Sequence, residues 1–183
     1  MTQSDRRRST LVFGGARSGK STFAEHLAVK SGLEKVYVAT GAAFDTEMAD
    51  RIAMHKDQRG PAWVTIEEQL DIAGVLAREV QPERIILLDC LTLWLSNLMF
   101  AGKDIAQETA RLIEAVRSLQ SPCIFVSNEV GMGIVPENRL SRSFRDEQGR
   151  LNQTMAECCD QVVFVAAGQP LLLKPNHQPD IES

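Results

Sequence analysis

Four stretches of this chain hold side chains of the type and spacing that phosphate chemistry needs. The first is GGARSGKS, residues 14–21, which fits G-x-x-x-x-G-K-[ST] at Gly14, Gly19, Lys20 and Ser21, with Gly15, Ala16, Arg17 and Ser18 between them. Glycines there let backbone N–H groups converge on phosphate oxygens, and a helix starting at the loop adds partial positive charge. Lys20 then reaches the outer phosphates, and the Ser21 hydroxyl is placed to ligate Mg²⁺. The second stretch is RIILLDC, an apolar run that ends in Asp89. A carboxylate at a strand end beside such a loop is the expected holder of the Mg²⁺ water shell.

The third stretch is EMADRIAMHKDQRG, residues 47–60, which sets His55 among Arg51, Lys56 and Arg59. On the residues alone an imidazole among cations reads as a solvated basic face or a half-buried core histidine, and a lone histidine is a weak signal of chemistry. The remaining histidines, His26 and His177, lie in the helix after the Gly-rich loop and in the tail. The fourth stretch is SNEVGMGIVPENRLSRSFRDEQGRLNQ, residues 127–153. Arg139, Arg142 and Arg145 recur every third residue there, with Arg150 beyond. That spacing spreads guanidiniums over one side of a helix. They serve either to clamp phosphoryl groups or as a charged surface laced with Asp146 and Glu147.

These groups need elements to hold them. Near-continuous apolar runs at 10–13, 35–39, 63–67, 84–89, 123–127 and 161–166 suit strands buried on both faces. Helical patterns fall between them at 20–31, 45–57, 69–80, 104–119 and 139–159. Asp45 or Thr46 is the expected cap of the helix that carries His55, with Met48 and Ile52 on its inner side. Strand and helix in alternation predict an α/β fold with an open, mostly parallel sheet and helices on both faces. Ligands of such sheets sit beyond the carboxyl ends of the strands, and each stretch above follows a strand.

Composition bounds what these residues are for. A chain of 183 residues fits one domain, here read as residues 1–183 with loose polar tails at about 1–9 and 174–183. Apolar residues make up 44% and charged residues 24%, the balance of a soluble protein. A formal net charge of -4 gives no global basic field to draw nucleic acid or a membrane surface. The most apolar segment, LTLWLSNLMF at 91–100, is about half the ~20 residues of a membrane span. The run LVFGG is too short for a signal peptide. Cys90, Cys123, Cys158 and Cys159 form no CxxC pair, so reduced thiols and a cytoplasmic location are expected. No N-K-x-D follows the loop, and the strand-end Asp89 runs on as D-C-L-T rather than as a D-x-x-G switch, so a regulatory GTPase is not expected.

The combination of GGARSGKS, VATG, DTEMADRIAMHKD, LLDCLTLWLSNL and NEVGMGIVPENRLSRSFRDEQGRLNQ closely resembles the bifunctional adenosylcobinamide kinase/adenosylcobinamide-phosphate guanylyltransferases of cobalamin biosynthesis. The resemblance runs from about Leu11 to Leu173. It implies a P-loop NTPase with a RecA-like sheet, ATP and GTP as substrates with Mg²⁺, adenosylcobinamide and its phosphate as acceptors, and a homotrimer. It implies that His55 is a guanylylated nucleophile and that Gly14 through Ser21 hold phosphates. Ala39, Thr40 and Gly41, then Lys56, Asp57 and Gln58, then Glu67, match the family's other nucleotide contacts, and Asp89 stands at the strand-end acid. Some relatives carry Glu at that last position; Asp is one methylene shorter. Two other readings stay open on the residues alone. One is a P-loop small-molecule kinase without nucleotidyl transfer, and the other is a non-catalytic nucleotide-binding module.

Overall fold

The computed structural model describes residues 9–41 and 62–175. In chain order they form β1 (Ser9–Gly14), α1 (Lys20–Lys30), β2 (Glu34–Ala39), β3 (Trp63–Glu67), α2 (Ile72–Glu79) and β4 (Arg84–Asp89). Then come α3 (Leu91–Phe100), α4 (Ile105–Arg117), β5 (Cys123–Asn128), α5 (Arg139–Cys158), β6 (Gln161–Ala166) and β7 (Gln169–Lys174). The strands make one sheet in the order β3-β2-β4-β5-β1-β6-β7. Every neighbouring pair is parallel except β6 with β7.

The apolar runs become central strands because both of their faces are covered. Leu11, Val36, Val38, Ile86, Leu88 and Phe125 point to one side, where they meet Ile72 and Leu76 of α2, Trp94 of α3, Leu112 of α4 and Met155 of α5. Their alternates Val12, Tyr37, Ile85, Leu87 and Val126 point to the other side, where Ala24 and Ala28 of α1 meet them. Period-two alternation thus sorts one continuous apolar run into two cores.

Helix starts follow their capping residues. Asp71 accepts from Gly74 N at 3.2 Å, Asp104 from Gln107 N at 3.0 Å and Asn138 from Ser141 N at 2.7 Å, so α2, α4 and α5 each begin on a side-chain cap. At the far end of α5 the Lys174 ammonium donates to the carbonyls of Ala156, Glu157 and Cys159 at 3.0, 2.9 and 2.6 Å. A cation there meets the negative end of the helix dipole.

Two elements were not among the expected ones. α3 is the apolar segment 91–100, and it lies across the carboxyl ends of the strands. Thr92 Oγ1 accepts from Asn128 N at 2.8 Å, while Asn97 Nδ2 donates to Thr40 O at 2.8 Å and to Gln69 O at 3.2 Å. β7 is an edge strand whose Leu171, Leu172 and Leu173 are exposed. β1 begins at Ser9 and β7 ends at Lys174, so the expected tails are trimmed by a residue at each side. The expected helix at 45–57 lies outside the described residues. All four cysteines are free. Among the described residues no helix is long and apolar enough to cross a membrane.

Candidate active site

The Gly-rich loop leaves β1 at the middle of the sheet and enters α1. Gly14 is required by close approach, since a Cβ there would lie 2.3 Å from the Val165 carbonyl oxygen of β6. Gly19 has φ of +93°, a left-handed conformation that glycine adopts without strain. Arg17 also turns left-handed, with φ of +57°. The β6–β7 turn braces the loop from one side, where Gly168 N donates to Ser18 O at 2.8 Å. β5 braces it from the other, where Glu129 N donates to Gly14 O at 2.9 Å.

Inside this brace the loop's polar groups converge. Lys20 is buried and donates through Nζ to Gly15 O at 3.1 Å, which holds the ammonium over the loop. Ser18 Oγ is buried without a protein partner. An orphaned hydroxyl inside a ring of backbone donors suits a phosphate oxygen. No side chain caps α1, so its first turn keeps its N–H groups toward the loop.

Asp89 is half-buried at the end of β4, with β5 alone between it and the loop strand. Ser21 and Asp89 are hard oxygen donors on one sheet edge. Among the described residues no three His, Cys, Asp or Glu side chains cluster as a metal cage. Two protein oxygens completed by phosphates and water is the Mg²⁺ pattern, so the residues fit that ion. Next to Asp89, the Cys90 thiol is pushed up to about 12, first by burial and then by the Asp89 charge. Backbone hydrogen bonds from Leu93 and Thr92 and the charge of Lys20 pull the other way.

Thr40 is fully buried, and its hydroxyl is spent inside the protein. Oγ1 donates to Cys90 O at 2.7 Å and accepts from Cys90 N at 2.8 Å. Its own N–H donates to Asp89 O at 3.3 Å. Thr40 therefore clasps the peptide that follows Asp89. Ala39 is buried beside it and Gly41 is half-buried. Glu67 is exposed at the end of β3, the sheet's far edge. Four strand spacings, about 19 Å, separate β3 from β1, so Glu67 is too far to share a phosphate with the loop. His55, Lys56, Asp57 and Gln58 lie outside the described residues.

The arginines of α5 divide by what they already hold. Arg142 donates to Pro136 O at 3.0 Å and also reaches Glu137 O, so it fastens the loop before its own helix. Arg145 pairs with Asp146 at 3.1 Å, and Arg150 pairs with Glu147. Arg139 is exposed and has no protein partner among the described residues. The N-terminal part of α5 also faces α3, where Leu140 and Phe144 meet Met99 and Phe100 across an open apolar groove of about 300 Å³.

Sequence reasoning did not single out a second set of polar residues at the same edge. Ser127 Oγ donates to Asn152 Oδ1 at 2.6 Å, and Gln148 Nε2 donates to both at 3.0 Å. Asn152 Nδ2 in turn donates to Asn128 O at 3.0 Å. The available signal was Thr92 and Asn97 standing inside an otherwise apolar run, since a buried polar side chain must have a partner.

A P-loop between a strand and a helix, with an acid on a nearby strand of a mostly parallel sheet, defines a P-loop NTPase of the RecA-like class. The fold is similar to that of the flagellar accessory protein FlaH from Methanocaldococcus jannaschii, with TM-score 0.50 and 15% identity, over 93% of this chain and 80% of that one. It is also similar to a prototypical ATPase from the type III secretion system of pathogenic bacteria, with TM-score 0.53 and 10% identity, over 87% of this chain and 51% of that one. Residues 10–173 match the cobinamide kinase/cobinamide phosphate guanyltransferase family, and the chain belongs to it. Its relatives include the bifunctional adenosylcobalamin biosynthesis protein CobP of Pseudomonas aeruginosa, 47% identical over 90% of this chain and 96% of that protein. The corresponding CobU protein of Salmonella typhimurium is 40% identical over 90% of this chain and 98% of that protein.

Proposed function

We propose that this enzyme phosphorylates adenosylcobinamide with ATP or GTP and then transfers GMP from GTP to the new phosphate. The observation that carries this reading is the braced loop with its buried Lys20 and orphaned Ser18 hydroxyl, in a chain that matches the family from residue 10 to 173. In the first step the acceptor's aminopropanol hydroxyl oxygen bonds to the γ-phosphorus. The γ-phosphorus–oxygen bond to the diphosphate breaks, and the hydroxyl proton passes to solvent. Positioning and charge stabilisation supply most of such a transfer. Lys20 and the α1 N-terminus hold the phosphates in line. Mg²⁺, held through Ser21 and Asp89, would neutralise charge on the phosphate oxygens.

The second step runs through His55. A ring nitrogen attacks the α-phosphorus of GTP, the bond to the β-phosphate breaks and pyrophosphate leaves. A phosphate oxygen of the acceptor then displaces the imidazole, which gives adenosylcobinamide-GDP and free His55. The polypeptide is a single catalytic domain, works as a homotrimer in the cytoplasm and uses Lys56, Asp57, Gln58 and Glu67 toward the nucleotide.

The test uses the pure protein with adenosylcobinamide, Mg²⁺ and α-labelled GTP, with products read by mass spectrometry. A phosphorus–nitrogen bond survives alkali and breaks in acid. Wild type should give acid-labile labelled protein and the GDP-linked product. His55→Ala should lose both while keeping part of the kinase turnover. Adduct formation by the variant would remove His55 from the mechanism, and a wild type that only moves γ-phosphate would leave a plain kinase.

A further inference from the structure

We propose that the open groove between α3 and α5 seats the corrin ring of the acceptor, with the aminopropanol arm running from there to the phosphate loop. This rests on the reading above for the identity of the acceptor. Both helices are anchored at the tip of β5. Thr92, in the first turn of α3, takes the N–H of Asn128 on Oγ1 at 2.8 Å. Asn152 of α5 donates to the Asn128 carbonyl at 3.0 Å, and Gln148 and Asn152 both bond to Ser127. Glu129 N ties the same tip to Gly14 of the loop at 2.9 Å.

From this shared anchor the helices run on past the sheet. α5 descends to the amino edge, where Asp160 accepts from Ser9 N at 2.8 Å, so the half of α5 before Asn152 projects beyond the carboxyl edge. At about 1.5 Å per residue, Phe144 lies roughly 12 Å along α5 from Asn152, and Phe100 lies roughly 12 Å along α3 from Thr92. These matching lengths bring Met99 and Phe100 against Leu140 and Phe144, and with Ser96 and Ser141 they line the groove of about 300 Å³.

Phe100 is 75% exposed and Leu140 62%, and bulky apolar side chains gathered in water mark a contact surface. A second copy of the chain is a poor occupant. Six lining side chains are well short of the roughly 20–30 residues that each side of a stable subunit contact supplies. The acceptor matches in kind, because its macrocycle is an apolar disc rimmed by amide arms. The groove offers aromatic, aliphatic and thioether surface for the disc, and the Ser96 and Ser141 hydroxyls for the amides. The acceptor also matches in reach. Its aminopropanol amide arm is about as long as two residues of extended chain, roughly 7 Å, which leaves about 5 Å for a phosphoryl group standing on the loop. When the arm's hydroxyl oxygen bonds to the γ-phosphorus and the bond to the diphosphate breaks, the ring stays seated. The groove binds and orients, and it moves no proton.

The experiment separates ring binding from nucleotide binding, with Leu140→Ala, Leu140→Asp and Phe100→Ala. An acid in the first turn of α5 suits the helix dipole, so Leu140→Asp keeps the fold. The KM for adenosylcobinamide should rise about tenfold in either alanine variant and about a hundredfold in the aspartate variant, which sets a charge against the ring. The KM for GTP should stay within about twofold, as should kcat/KM for N-(2-hydroxypropyl)propanamide, which keeps the arm and lacks the ring. Equilibrium dialysis of adenosylcobinamide without nucleotide should show the same losses. Equal losses for the two acceptors, or an unchanged KM for the ring-bearing one, would overturn the assignment. Dissociation of the variants in sedimentation would make the groove a subunit contact and overturn it as well. Collapse of the variants would do the same, because exposed side chains are not needed for folding. A wild type that binds adenosylcobinamide without phosphorylating it would remove the proposed function and leave the dialysis comparison standing. A wild type that phosphorylates it, with dialysis unchanged in every variant, would remove the groove alone.

Discussion

Replacing Thr40 by valine removes a hydroxyl and little else, and the structure sets the cost. The hydroxyl serves both sides of the Cys90 peptide, at 2.7 Å to the carbonyl and 2.8 Å from the N–H. The carbonyl keeps a second partner, because Trp94 N donates to it at 3.2 Å. The N–H has no substitute, and Cys90 is 5% exposed, so water does not replace the lost acceptor. An orphaned buried N–H costs about 1–3 kcal/mol, and the lost bond to the carbonyl costs about 1 more. The sum is about 3 kcal/mol. With a urea slope of about 2 kcal/mol per molar, the unfolding midpoint should fall by about 1.5 M. Thr40→Ser keeps the hydroxyl and loses one methyl, worth about 1 kcal/mol. Urea unfolding followed by tryptophan fluorescence reads all three proteins. A valine variant within about 0.5 kcal/mol of wild type, or a serine variant as damaged as the valine one, would refute the clasp.

Gly14→Ala should destabilise by about 1–3 kcal/mol and weaken nucleotide binding, because the new Cβ meets the rigid Val165 carbonyl at 2.3 Å; calorimetry against GDP and a thermal melt check it. Lys174→Met removes the cation from the α5 C-terminus and should cost about 1–2 kcal/mol in a denaturant titration, with nucleotide affinity unchanged. Stability should also fall as pH rises above about 9. Burial pushes the thiols of Cys90 and Cys159 up to about 12 and raises that of Cys123 as well, so the folded state keeps protons that the unfolded state releases. Each such thiol then removes about 1.4 kcal/mol per pH unit between its unfolded value and its folded one. Urea midpoints at pH 8, 9 and 10 that do not decline would contradict the burial.

The six parallel strands and the phosphate loop were legible because their signals are local. Strands covered on both faces read as apolar runs, and the loop is eight consecutive residues. α3 was not legible as a helix because it is buried almost all round, at Leu91, Thr92, Trp94, Leu95, Asn97 and Leu98, and so shows no one-sided stripe. β7 carries Pro170, which a central strand would exclude and which is tolerated on the edge that β7 occupies. Asn128 reads as the first residue of an exit loop until the strand order puts it between the acid and Gly14. Thr40 belongs to a family contact segment by sequence, but its burial against Cys90 is a tertiary fact that neither composition nor spacing carries.

The position of β1 in the sheet has a consequence for how the chain is made. Both of its neighbours, β5 and β6, come from the last third of the sequence, and Ser9 finds Asp160 only at a separation of 151 positions. On a ribosome adding roughly 5–20 residues per second, the first strand waits on the order of ten seconds for any partner. During that wait β2, β3 and β4 have already emerged and can pair with one another. The phosphate loop, although synthesised early, is thus assembled late, when β5 and then β6 close around it. A chain terminated before β5 would hold the whole GGARSGKS stretch and still lack the two strands that shape it, so nucleotide is captured only by polypeptides synthesised past β6.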